Sequence, residues 1–329
     1  MTRAVKIALI VAAALVFLGV IIAGVAIAFS DRTDFYRGDD FTERTASYPA
    51  DLKQIKTDLV VADLNVTRIS GDKITLRYYE NEYITYSITT TNGILKITRQ
   101  DRNRWFFIGF DFRSYGNNVE IGIPESYDGI LTLRTSTGDI KISELSMAAE
   151  SSAVSTTGDT TIENCSVPGD FSVKVSTGRI KITSFNVAGN LTVETTTGDV
   201  YLSSVSTIGN LGITQTTGDL SGSEINCAGD IHISRSTGYV SINNVTAASI
   251  RAEASTGSTN ITNLTTFGAI YLESSTGDIR CSVTDGISKY NITSRTSTGD
   301  NNLPKSAGYG DKQLSVFTTT GDIRFTFAE

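Results

Sequence analysis

The chain has 329 residues with a formal net charge of −7, 29 glycines and one histidine. Threonine, serine, isoleucine and valine crowd it and strong helix formers are sparse, a composition that points to an all-β protein. The acidic balance excludes a nucleic-acid partner, because such a surface repels phosphate.

Ile7 to Phe29 is an uncharged run of 23 residues, long enough for a bilayer core. Arg3 and Lys6 precede it and Asp31 and Asp34 follow it, so the positive-inside rule sets the N-terminus in the cytoplasm. The expectation is one transmembrane helix retained as an anchor, within residues 1–30. Ala26-Ile27-Ala28 resembles a signal-peptidase site, which keeps a cleaved export signal open. Either way the remainder lies outside the cytoplasm, as a single-pass cell-membrane protein with an extracellular C-terminal domain. Residues 31–48 carry mixed charge without a period and read as a juxtamembrane linker.

Residues 49–130 alternate like strands without a regular phrase, and read as an N-terminal β cap with the first irregular coils. Ser70-Gly71-Asp72 looks like an irregular relative of the phrase that recurs downstream. Trp105-Phe-Phe-Ile-Gly-Phe-Asp-Phe112 is the richest aromatic cluster and holds the only tryptophan. It is expected either to plug the core of the cap or to present Arg104, Trp105, Phe106, Phe107, Phe110 and Phe112 as an exposed partner-binding patch.

From residue 131 to 329 one phrase governs the chain: Ser/Thr-Thr-Gly, usually followed by Asp. Its glycines are Gly138, Gly158, Gly178, Gly198, Gly218, Gly238, Gly257, Gly277, Gly299 and Gly321, mostly 20 residues apart. Within one copy, Leu191 and Val193 alternate before the glycine and Val200 and Leu202 after it, the period of a strand. Aligned on the glycine, the copies give apolar columns seven and five residues before it, and two, four and seven after it. Each unit buries too little to fold alone, but stacked units form continuous apolar ladders. The expectation is a β-solenoid (β-helix) of about ten 20-residue coils, preceded by the transmembrane helix. At roughly 4.8 Å per coil these would make a rod of about 50 Å. A propeller needs about 40 residues per blade, twice the period seen.

Asp follows the glycine at Asp139, Asp159, Asp199, Asp219, Asp278, Asp300 and Asp322, and is replaced by Arg179, Tyr239 and Ser258. Turn chemistry accounts for this column, since carboxylates and hydroxyls satisfy corner backbone groups. Calcium relieving stacked carboxylates is a rival, although the glycine-rich nonapeptide of calcium-binding β-rolls is absent. Ice binding would need two outward threonine columns, and the column three before the glycine is mixed (Val175, Gln215, Arg235). Cys165, Cys227 and Cys281 read as buried thiols, and His232 as a surface residue. Neither a metal nor a cofactor is expected.

No nucleophile elbow, Walker loop, dinucleotide fingerprint or His-Glu-x-x-His is present, so no catalytic residue is assigned. A polysaccharide-active β-helix would use paired carboxylates on one strand face. Four residues before the glycine stand Arg134, Lys174, Glu194, Glu253, Glu273 and Arg295, with Glu253 and Glu273 as stacked neighbours. Asn301 to Gly310 reads as a protruding loop. The end, Ile323 to Glu329, reads as an uncapped strand edge through which copies could self-associate.

The N-terminal apolar segment, the lead-in Val119-Glu-Ile-Gly-Ile-Pro-Glu125 and the serial Ser/Thr-Thr-Gly-Asp-Ile/Val coils together resemble the bacterial putative adhesin family, a β-strand repeat-containing domain of unknown function (4097). The resemblance covers roughly residues 50–329. It implies a cell-envelope protein of a Gram-positive bacterium; the expectation for this chain is a non-enzymatic adhesin or surface scaffold, with a cell-surface glycan or envelope protein as partner. It also implies an alternative, an envelope-stress regulatory protein that binds a membrane partner. No family residue is carried over as catalytic.

Overall fold

The computed structural model describes residues 41–82, 84–101 and 117–328. Each regular coil gives one strand to each of two sheets. Around Gly198, Leu191–Thr197 joins a 14-stranded sheet and Val200–Thr207 a 13-stranded one. The strands run parallel, so every residue sits beside its counterpart: Leu191 lies opposite Phe171 on one side and Leu211 on the other. Leu191, Val193, Val200, Leu202 and Val205 are all buried, as the period-two pattern requires. The β-solenoid expectation is met, and all ten phrase glycines fall in one stack.

Gly198 shows why the corner needs glycine. Its φ is +139°, and a Cβ there would collide with the carbonyl of Gly178 one coil below. A second bend uses no glycine. Glu144, Asn164, Ser184, Ser204, Glu224, Asn244 and Asn263, each six residues after a corner glycine, hold φ between 52° and 62°. That left-handed residue shifts the alternation by one. It is why the inward positions run two, four, then seven and nine after the glycine.

The coils do not stack in strict chain order. Lys312–Thr320 lies between Ile270–Thr276 and Tyr290–Thr298, so Gly321 rests on Gly277 and Gly299 on Gly321. At the other end Gln54–Val61 sits between Ile94–Asp101 and Ile130–Thr137. Outermost there are two antiparallel additions: Thr42–Pro49 on Lys73–Glu80, and Ile84–Thr91 on Ile94–Asp101.

Several expectations are corrected. The corner relative in the early chain is Ala62-Asp63 rather than Ser70-Gly71-Asp72: Gly138 packs over the Ala62 carbonyl, and the Asp139 N–H donates to the Asp63 carboxylate at 2.9 Å. Residues 301–310 do not protrude. Ser306–Gly308 pairs antiparallel with Tyr290–Thr298, Leu303 is buried, and the Ser294 hydroxyl donates to the Pro304 carbonyl at 2.8 Å. The final strand, Ile323–Thr326, is not a bare edge either. Asn302 accepts the Phe325 N–H and donates to its carbonyl, both at 2.8 Å. Arg295 does not stand beside Glu273, because Phe317 intervenes.

Among the described residues no helix is long and apolar enough to cross a membrane. The anchor expected at Ile7–Phe29 lies outside those residues, as does the aromatic patch Arg104, Trp105, Phe106, Phe107, Phe110 and Phe112.

Candidate functional site

Corner aspartates act on backbone groups of the neighbouring coil. The N–H of Asp159 donates to Asp139 at 2.7 Å, that of Arg179 to Asp159 at 2.7 Å, and that of Asp219 to Asp199 at 2.8 Å. The ladder follows spatial order: Asp322 donates to Asp278 and Asp300 to Asp322, each at 2.9 Å. The Asp300 N–H, aided by Arg324, holds the Asp322 carboxyl below its ordinary pKa. The other corner repeats the device, with Asn190 donating to Asp170 at 2.7 Å and Asn210 to Asn190 at 2.9 Å. A cross-coil hydrogen bond therefore accounts for the Asp column. Among the described residues no three His, Cys, Asp or Glu side chains are grouped to hold a metal.

This ladder is interrupted twice. Tyr239 receives from its neighbour, its N–H donating to Asp219 at 2.8 Å, but hands no side-chain acceptor to Ser258. Arg179 likewise hands none to Asp199. The Arg179 guanidinium instead stands 5.8 Å from the ring centre of Tyr201, whose hydroxyl donates to Asp199 at 3.3 Å. Tyr201 is 39% exposed and Tyr239 62%.

The column three before the glycine, read from sequence as outward, faces inward. Ser155, Val175, Thr195, Gln215 and Arg235 are all buried. Three of its polar side chains reach the glycine carbonyl below, while the Thr195 hydroxyl and the Arg235 Nε and Nη1 are buried without a partner. Ser155 donates to Gly138 at 3.2 Å, Gln215 to Gly198 at 2.8 Å and Arg235 to Gly218 at 3.3 Å. Burial pulls the Arg235 guanidinium down in pKa. Its mixture of valine, threonine, glutamine and arginine hides this column from any apolar-periodicity count.

Glu253 and Glu273 do stand in register on adjacent strands, beside a shallow groove of about 380 Å³ floored by Thr214 and Ser234. Each carboxylate is held on its own strand. Arg251 pairs with Glu253 at 2.5 Å and lies 4.0 Å over the Tyr271 ring, while the Tyr271 hydroxyl donates to Glu273. The Arg251 hydrogen bond keeps the Glu253 carboxyl below its usual range. His232 is exposed. The three cysteines are free and buried, and burial pushes the Cys165 thiol up to about 11.

A family model, Toastrack DUF4097, matches residues 52–267. The chain belongs to the Toastrack family. Three solved structures are similar to it. A putative cell adhesion protein from Clostridium sporogenes shares 11% identity over 88% of this chain and 100% of that one, with a TM-score of 0.21. A putative adhesin from Bacteroides fragilis shares 11% over 86% and 97%, with a TM-score of 0.31. A putative adhesin from Parabacteroides distasonis shares 13% over 85% and 98%, with a TM-score of 0.27. No curated protein matches the chain.

In this Toastrack chain the residues flanking the aromatic segment are tied together. Buried Arg99 donates from Nε to Asp101 at 2.7 Å and from Nη1 to Asn117 at 3.1 Å, and also bonds the Val61 carbonyl. Asp101 and Asn117 are thereby held by one guanidinium, and the Asn117 carbonyl accepts the Asp63 N–H at 3.0 Å.

Proposed function

We propose that this chain is a single-pass, externally displayed β-solenoid without enzymatic activity, serving as an adhesive or scaffold surface of a bacterial cell envelope. The carrying observation is the cross-coil corner ladder. The recurrent carboxylates, the residues a hydrolase or a calcium roll would use, are spent on backbone N–H groups of the next coil. What the frame leaves for a ligand is its outward rows of hydroxyls, charges and aromatics. The partner is a cell-surface glycan or an envelope protein.

Glu253 and Glu273 are the nearest thing to a catalytic pair, and adjacent-strand spacing of about 4.8 Å resembles that of retaining glycosidases. A general acid, however, needs a raised pKa, and Glu253 moves the other way. A second reading, regulation through a membrane partner bound by residues 49–130, is favoured by Arg99, which gathers both flanks of the aromatic segment at one corner.

Protease shaving of intact cells tests the display. The solenoid should be cut away only when protease is outside, and protection in intact cells would refute it. In-cell crosslinking then separates the two readings. Deleting residues 102–116 should abolish capture of a membrane partner under the regulatory reading and leave adhesion intact under the first.

A further inference from the structure

We infer that Tyr201 and Tyr239 form a platform for a neutral, extended glycan lying along the solenoid axis. The inference deepens the surface-binding reading above and rests on it.

Tyr239 occupies a corner position where Asp would carry the ladder forward. Choosing tyrosine forfeits an acceptor for the Ser258 N–H. The ring recovers nothing inside the fold: it is 62% exposed, and no aromatic or cationic contact among the described residues holds it. Arg179 makes the same departure, and its guanidinium is directed at Tyr201. A residue that breaks a local structural rule without a structural return points to function. Tyr239 is such a residue; Arg179 is not, since it keeps an ion pair to Asp159 at 3.8 Å and stands 5.8 Å from the Tyr201 ring centre.

The face has regular geometry. Tyr201 lies in the column of Lys181, Ser221 and Ser241. Tyr239 lies at the corner beside Ser241, two coils further along. The two rings are thus about 10 Å apart along the axis, with Ser221 and Asp219 on the coil between them.

Chemistry selects the occupant. These strands are interior to their sheet and paired on both sides, so no peptide can add to them as a strand. The patch mixes Arg179 with Asp199 and Asp219, which gives no field of one sign to gather a polyanion. Tyrosine offers a rigid apolar face with a polar tip. A sugar ring presents the complement, a C–H face to lie on the phenol and a hydroxyl to donate to the second oxygen of Asp219, whose first accepts the Tyr239 N–H. The two-coil interval suits a ligand that itself repeats along a line.

The test uses the full chain in detergent micelles, titrated by calorimetry with cellohexaose, N-acetylglucosamine hexamer and, as the charged comparison, hexagalacturonate. One of the neutral hexamers should bind saturably. Tyr201→Ala and Tyr239→Asp should each weaken that binding about tenfold or more. Tyr239→Asp should also melt no lower than the parent, since it restores the missing ladder acceptor. That variant therefore separates lost recognition from lost folding. Failure of both neutral hexamers to bind, unchanged binding by Tyr239→Asp, or tighter binding of hexagalacturonate would overturn the assignment. None of these outcomes touches the display reading, which falls only if intact cells protect the solenoid from protease.

Discussion

Gly198→Ala and Gly212→Ala make the same chemical change at neighbouring places with opposite expected results. At Gly198 the backbone is at φ +139° and the new methyl meets the Gly178 carbonyl. The unfavourable backbone alone costs about 1–3 kcal/mol. Relieving the clash means lifting one coil off the one below, which weakens the Gly178 N–H to Thr197 carbonyl bond of 2.9 Å, worth about 0.5–1.5 kcal/mol. The sum is a loss of about 1.5–4.5 kcal/mol. At Gly212 a methyl would meet nothing within 4 Å. There the stiffer unfolded chain should leave stability unchanged or raised by about 0.4–1 kcal/mol. Urea unfolding followed by far-ultraviolet circular dichroism reads both. Because coils interact mainly with their neighbours, amide exchange should locate the Gly198→Ala loss at the adjacent corners. Equal midpoints for the two variants would refute the idea that coil-on-coil contact dictates glycine at the corner.

Three further outcomes follow from the packing and the ladder. Phe185 is fully buried and meets Phe171 edge-on at 5.1 Å, so Phe185→Ala should destabilise by about 3–5 kcal/mol in urea, and Phe185→Leu by clearly less. Asp159→Ala should speed exchange of the Arg179 amide and cost about 0.5–1.5 kcal/mol, whereas Asp159→Asn, which keeps an acceptor, should do neither. The Lys181 hydrogen bond holds the Glu163 carboxyl below its ordinary value. Its contribution should be complete above the unfolded carboxylate pKa of about 4.3 and vanish as pH falls through the lowered folded value. Acid unfolding of Glu163→Gln should lack that component, and an unchanged acid limb would count against the pairing.

Much of the frame was legible because identical columns place like beside like. The apolar positions around Gly198 could be counted directly, and Leu191, Val193, Val200, Leu202 and Val205 are buried as counted. Three features were not legible. The left-handed bend is held by Asn164, Asn244 and Asn263 but also by Glu144, Ser184, Ser204 and Glu224, so no single residue type marks the phase shift it causes. The inward column of Gln215 and Arg235 answers a carbonyl rather than an apolar neighbour. Axial order at the two ends depends on which strand edge is free when a segment arrives, and periodicity says nothing about that. For the site, the exceptions at Arg179 and Tyr239 were visible as exceptions. Their meaning needed the ladder, because only the hydrogen bonds to Asp159 and Asp219 show what the next coil forgoes.

Placement of Lys312–Thr320 beneath Tyr290–Thr298 bears on how the molecule is finished. A chain emerging from its N-terminal side can lay down coils one after another as far as Gly277. Tyr290–Thr298 then has no permanent seat until Lys312–Thr320 has been made and slides in below it. A chain interrupted before Lys312 would keep the earlier coils but leave Tyr290–Thr298 without the strand it rests on, a built-in mark by which such a copy differs from one that carries it.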